Sequence, residues 1–338
     1  MKAPVFLAVF APLLLISLLS TPVYAKDYSL LNVSYDPTRE LYQEFNAEFS
    51  RYWKEKTGDH IAIKQSHGGS GKQARSVIDG LSADVVTLAL AYDIDVIAQK
   101  TVKLPANWQS QLASNSAPYT STIVLLVRKN NPKKIHDWPD LIKAGISVVT
   151  PNPKTSGGAR WNYLAAYAFA KHAYGSDAAA EEFISTLFKR VSVLDTGARA
   201  ATTTFAQRGI GDVLITWENE AYLALNEFGA DKFEIVLPSL SIKAEPPVAL
   251  VAANAQKHGV AAIAQAYLEY LYSPAGQTII AKHYFRPAKP ELITSTDIPH
   301  LAELNLVNID QEFGGWAQVQ AKHFNDGGVF DQLYRPRR

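Results

Sequence analysis

Apolar runs of strand length alternate with longer amphipathic stretches along nearly the whole chain, and this rhythm restricts the fold more than any single motif. SLLNVSY reads as a strand, followed by a helix from Pro37 to about Lys56 with Asp36 at its N-cap and Pro37 in its first turn. HIAIKQ, DVVTLAL, TSTIVLLVRK, GISVVTP, RVSVLD, DVLITW, FEIVLP and PVALVAA continue the series. The longest helical stretches among them are ARWNYLAAYAFAKHAY and AAIAQAYLEYLYS. Alternation of this kind implies mostly parallel sheets flanked by helices, an α/β fold. In such sheets ligands sit beyond the carboxyl ends of the strands, where loops meet helix N-termini.

The first 25 residues stand apart from this pattern. Lys2 is their one charge, the apolar run VFLAVFAPLLLISLL follows, and Val23-Tyr24-Ala25 resembles a small-residue cleavage site. The expectation is a secretory leader cleaved before Lys26. An uncleaved membrane anchor fits less well, because the run is short for a span and contains Pro12. The remaining 313 residues have room for about two domains. Lys and Arg number 33 against 32 Asp and Glu, and Lys2 is one of the 33, so nothing points to a nucleic-acid partner or a polybasic membrane patch. With no cysteine, neither disulfides nor thiolate metal sites can hold an exported chain together, and its core must do so.

QSHGGSGKQ, residues 65–73, invites a nucleotide-binding reading that fails on inspection. Ser66 stands where the first glycine of a phosphate-binding P-loop belongs, and Gln73 stands where a hydroxyl should meet Mg²⁺. The underlying physics survives. Glycines let the chain approach a ligand closely, and a helix starting near Gly71 aims free N–H groups at an anion. The same arrangement recurs at NPKTSGGARW, with Ser156, Gly157 and Gly158, and at LDTGAR, with Gly197 and Ala198. DVLITWENE ends a fourth strand at Trp217, whose indole is a donor only. Each turn alone is ordinary for an α/β chain; several together suggest one shared anion site.

Catalytic constellations are missing. G-x-S-x-G fails around Ser70, where Lys72 replaces the last glycine, and the eight histidines include no H-E-x-x-H pair. Asp93/Asp95 and Glu218/Glu220 read as capping or solvated acids. His67 has no evident nucleophile to activate and reads as structural. No cofactor and no metal are expected.

At these residues the chain resembles the periplasmic sulfate- and thiosulfate-binding family of ABC transporter solute-binding proteins. KEKTGDHIAIKQS, residues 54–66, and NPKTSGGAR, residues 152–160, carry the resemblance, which extends from LLNVSYDPTREL to the FGGW and HF segments near the C-terminus. It implies a two-lobed (type II) binding fold with two crossover strands, closing on a dehydrated sulfate that is delivered to membrane permease subunits. It places sulfate contacts at Ser70, Ser156, Gly157, Gly158, Ala198 and Trp217, mostly through backbone N–H groups. The thiosulfate branch tends to have Asn in place of Gly158, Gly in place of Ala198 and Phe in place of Trp217, and to lack the Gly69 and Gly71 pairing. Sulfate is therefore the expected ligand, with a thiosulfate-binding paralogue as the alternative and an exported hydrolase of an oxyanion ester behind it.

Around the contacts, Asp36, His67, Asp93, Arg160 and Arg199 are expected to shape the site without touching the anion. The two arginines could clamp it bidentately; the resemblance favours their pairing with carboxylates behind the turns. The expected division is a leader at 1–25, lobe 1 at 26–119, lobe 2 at 120–247, and lobe 1 again with a C-terminal tail at 248–338, in a periplasmic monomer.

Overall fold

The computed structural model describes residues 25–334, so the leader expected at 1–25 lies, up to residue 24, outside the described residues. Strand β1, Asp27–Ser34, buries Leu30, Asn32 and Val33 and leads to a tight 3₁₀ turn at Asp36–Thr38. Helix α1, Arg39–Thr57, follows and stops at Gly58, whose φ of 82° is the left-handed conformation glycine adopts readily. Asp36 differs from expectation here. It sits inside the 3₁₀ turn rather than capping the helix, and no side chain caps either element. Its carboxylate turns instead toward the opposite lobe.

The alternation then runs on through β2 (His60–Ser66), α2 (Ser70–Ile78), β3 (Val85–Thr87) and α3 (Ala91–Lys100). After a first crossover the chain forms β4 (Ile123–Arg128), β5 (Val148–Pro151), α4 (Gly157–Tyr174), α5 (Asp177–Arg190), β6 (Val191–Asp195), α6 (Ala198–Ala206), β7 (Val213–Trp217), α7 (Glu218–Phe228) and β8 (Phe233–Val236). A second crossover leads back to β9 (Val248–Leu250), α8 (Ala252–Lys257), α9 (Ala261–Tyr270) and α10 (Pro274–Lys282).

Two larger sheets result, ordered β9-β3-β1-β2 and β6-β5-β7-β4-β8, beside two short two-stranded pairs. β1 runs parallel to both β2 and β3, and β5 runs parallel to both β6 and β7. The exceptions are the strands that follow the crossovers. β9 is antiparallel to β3, and β4 is antiparallel to β7 and β8. A chain arriving from the other lobe enters at the edge where the other strands end, so it must run the opposite way. The crossovers are stitched together by the Ser121–Ala244 bridge and by Thr122, which donates from Oγ1 to Ile242 O at 3.0 Å.

Beyond residue 305 the chain packs on the second lobe. Leu306–Val307 pairs with Ser241–Ile242, Lys154 Nζ meets Asp331 Oδ2 at 2.8 Å, and Phe324 packs edge-on against Tyr163. In each sheet the strand order reverses beside β1 or β5, which sets the loops after β1, β2, β3, β5, β6 and β7 facing one another.

Candidate functional site

Three helices begin at these facing loops. α2 starts at Ser70 behind Gly69, α4 at Gly157 behind Ser156, and α6 at Ala198 behind Gly197. The first N–H groups of a helix have no partner inside it. Among the described residues, the backbone N–H groups of Ser70, Gly157, Gly158 and Ala198 meet no acceptor. The three starts are close neighbours. A Cβ added to Gly157 would lie 3.0 Å from Ser70 Cβ and 2.9 Å from both Ala89 Cβ and Leu90 Cδ2. One added to Gly69 would lie 2.7 Å from Thr155 O and 3.2 Å from Thr196 O. Glycine at 69 and 157 is thus required by the approach of the two lobes, a constraint no local pattern announces.

Side chains at these starts have distinct tasks. Ser70 Oγ donates to Asp93 Oδ2 and accepts from Ala89 N at 3.0 Å, so its hydroxyl is committed within the first lobe. Ser156 caps α4 by accepting from Ala159 N at 3.3 Å, and its own N–H donates to Asn152 O. That leaves the Ser156 hydroxyl hydrogen available. Trp217, the N-cap of α7, is 1% exposed and donates from Nε1 to Gly158 O at a long 3.2 Å. Its ring tilts against Tyr35, with centroids 5.5 Å apart. The Tyr35 hydroxyl is buried with no hydrogen-bond partner among the described residues, and burial raises its pKa, helped by Tyr42 and Glu220. Tyr35 is thus a further protonated donor beside the indole. The sequence marked it only as the end of a strand.

The charged residues surround these donors. Arg160 donates from Nε to Pro153 O at 3.0 Å and from Nη1 to Gln320 Oε1 at 2.9 Å, and Nη1 lies 3.9 Å from Asp93 Oδ1. Arg199 pairs with Glu40 across the lobes, with Glu227 at 3.2 Å, and approaches Glu220 at 4.0 Å. Arg160 thus holds a backbone carbonyl and an amide beside Asp93, and Arg199 holds carboxylates. Asp93 is raised in pKa by burial, against the opposing pull of Arg160 and Ser70. Asp36 is raised by burial as well, with Arg39 and Arg199 pulling it back. Its Oδ2 lies 2.6 Å from where a Cβ of Gly197 would stand, close to the start of α6. His67 is pushed down to about 4, chiefly by burial and then by Arg39, and its Nδ1 lies 3.4 Å from Tyr35 O.

Further bonds join the lobes directly: Trp161 Nε1 donates to Ala89 O at 2.8 Å and Asn219 Nδ2 to Pro37 O at 3.0 Å. Trp161 and Asn219 each adjoin a residue singled out above, yet side-chain reach across a cleft leaves no trace in spacing. Asp36, Gly69, Lys72, Asp93, Lys154, Arg160 and Gly197 line an interlobe cavity of about 720 Å³, which none of Ser70, Ser156, Gly157, Gly158, Ala198 and Trp217 lines. Among the described residues no group of three or more His, Cys, Asp or Glu could hold a metal ion.

A cleft between two α/β lobes, walled by helix N-termini, is the architecture of an extracellular receptor for a small solute. The chain belongs to the bacterial extracellular solute-binding proteins, whose family profile matches residues 30–286. It is 60% identical to the sulfate-binding protein of Salmonella typhimurium, over 94% of this chain and 96% of that one. It is 52% identical to the thiosulfate-binding protein of Pseudomonas aeruginosa, over 91% and 92% of the two chains. Among solved structures it is similar to the sulfate-binding protein SubI of Mycobacterium tuberculosis, with a TM-score of 0.77 and 31% identity over 88% of this chain and all of that one.

Proposed function

We propose that the protein binds sulfate between its lobes and delivers it, in the periplasm, to the permease of an ABC importer, acting as a receptor rather than an enzyme. One observation carries this reading: three helix N-termini from two lobes start beside one another, and among the described residues their leading N–H groups meet no acceptor. The ligand set is the N–H groups of Ser70, Gly157, Gly158 and Ala198, the Ser156 hydroxyl, and the Trp217 indole, which would turn from Gly158 O to the anion.

Burying a dianion without a cation is costly, and the helix ends offset that cost. Each supplies roughly half a positive charge, so three aimed inward offset most of two negative charges. About six charge-assisted hydrogen bonds at ~1.5–3 kcal/mol each gross roughly 10–20 kcal/mol, against about 8 kcal/mol net for a micromolar complex. The difference offsets dehydration of the ion and closure of the lobes.

Selectivity follows from donor direction. Sulfate has no proton to give, so a lining of donors suits it. Phosphate keeps one, and facing donors with it costs about 1–3 kcal/mol. The nearest carboxylates are engaged elsewhere, Asp93 with Ser70 and Asp36 3.6 Å from Arg39. Gly158 favours sulfate over thiosulfate: a side chain there would begin 3.2 Å from Trp217 Nε1, crowding the indole.

Isothermal titration calorimetry with sulfate, thiosulfate and phosphate at pH 6 and pH 8 tests the proposal. Tight one-to-one sulfate binding, equal at the two pH values and with phosphate silent, is expected. Thiosulfate binding tighter than sulfate would transfer the chain to the alternative ligand. Binding of none of the three would overturn the receptor reading.

A further inference from the structure

The helix that begins behind Trp217 is gripped from the first lobe by residues that the anion site does not use. Helix α10 belongs with that lobe: Lys282 and the following His283 reach Glu44 of α1 at 3.6 and 2.8 Å. The chain then turns at Tyr284, whose φ is 62°. A position just past a helix end with left-handed backbone is one where glycine is favoured and a bulky ring is not. Contact with α7 accounts for the ring. Tyr284 lies flat on Tyr222, with centroids 4.7 Å apart and planes 4° from parallel, and its hydroxyl accepts from Asn226 Nδ2 at 2.8 Å.

Two residues on, Arg286 donates from Nε and Nη2 to the two oxygens of Glu218, at 2.9 and 2.8 Å. Nη2 also meets Ala302 O at 2.6 Å. Glu218 is wholly buried, and among the described residues Arg286 is the one cation within ion-pair distance of it. A planar fork on a carboxylate fixes direction as well as distance. Arg286 is itself tied to the pivot, paired with Thr120 next to the Ser121–Ala244 bridge. Glu218 N donates to Thr122 O at 2.9 Å, so the first residue of α7 is held to the crossover from both sides.

We propose that Tyr284 and Arg286 form a clamp that positions the Trp217 indole, so that two residues outside the anion pocket set how well one of its donors is aimed. The clamp rests on the reading above, in which Trp217 donates to the bound anion. Glu218 directly follows Trp217, so a tilt of the first turn of α7 moves the indole with it. Tyr222 and Asn226, one and two turns further on, fix the rotation of the same helix. The two residues are positioning residues: they touch α7 and leave the anion to Trp217.

A double-mutant cycle measured with sulfate tests the clamp. Arg286→Lys keeps the charge and loses the fork; it should raise the Kd about tenfold, the size of one weakened charge-assisted hydrogen bond, mainly through faster release. In a Trp217→Phe background the same change should add less than about twofold, because the donor it aims is gone. Tyr284→Gly supplies a second arm should Arg286→Lys fail to fold. Glycine suits the left-handed turn, so thermal stability should hold or rise while sulfate affinity falls about threefold. Wild-type affinity in both single variants overturns the clamp. An equal loss from Arg286→Lys with and without the indole also overturns it, since that pattern belongs to a general brace. Failure of the wild type to bind sulfate, or unchanged affinity in Trp217→Phe alone, removes the reading beneath and the clamp with it.

Discussion

Ser70 keeps its hydroxyl on Asp93 and Ala89 N, which leaves its backbone N–H as the group without a partner among the described residues. Ser70→Ala strands a buried carboxylate and a buried N–H, and should cost about 1–3 kcal/mol of stability in urea unfolding. Sulfate affinity in calorimetry should fall by less than that. A larger loss of affinity than of stability would make the hydroxyl a direct ligand. Gly157→Ala acts by another route. The added methyl would meet Ala89, Leu90 and Ser70 of the opposite lobe at 2.9 to 3.0 Å, so it opposes closure while each lobe stays folded. Overpacking of this kind costs about 1–3 kcal/mol, which should appear as a sulfate Kd at least about tenfold weaker. Small-angle scattering should show the variant more open than the wild type at saturating sulfate.

At the scale of elements, closure is read in what joins α1 and α6. Arg199 of α6 pairs with Glu40 of α1 while staying 4.0 Å from the fully buried Glu220 of its own lobe. Burial raises Glu220, and Arg199 opposes that shift. Glu40→Gln removes the cross-lobe partner and leaves Arg199 its neighbours Glu220 and Glu227. Partly exposed pairs contribute modestly, about 0.2–1 kcal/mol, so release of sulfate in stopped flow should quicken by about two- to fivefold. Thermal unfolding without sulfate should be unchanged, since the pair forms between lobes rather than within one. Unaltered release would show that Arg199 serves α6 alone.

For the molecule as a whole, acid stability should turn on two histidines, one half-buried and one buried. His67 beside the cleft and His323 in the C-terminal tail are both pushed down to about 4, mainly by burial. Their folded pKa values lie below the unfolded value, so the unfolded chain gains protons that the folded one cannot take. The stability they contribute is therefore complete above about pH 6.5 and declines as pH falls toward 4. The carboxyls of half-buried Asp36 and of buried Asp93 and Glu220 are shifted upward, so protonating them favours the folded form and works against this decline on acidification. Melting temperatures at pH 7, 6 and 5 should drop for the wild type, and less for a His67→Gln/His323→Gln variant. Equal slopes would place the acid sensitivity in other groups.

The sequence by itself determined the alternation of strands and helices, the three glycine- or serine-led helix starts, and the want of catalytic or metal-binding patterns. These are local properties: periodicity, capping and backbone freedom act within a few residues. The tertiary structure alone decided the rest. Asp36 turned from its own helix to face Gly197, because an interlobe gap lay beside it. Ser70 gave its hydroxyl to Asp93, and Arg160 and Arg199 were drawn to carboxylates distant in sequence. Tyr284 took a left-handed backbone against its preference, because Tyr222 and Asn226 offered contacts from the other lobe. Which face a turn presents is written in the residues nearby; which partner it meets depends on two lobes brought together by a hinge, and that distance in sequence is what no local pattern spans.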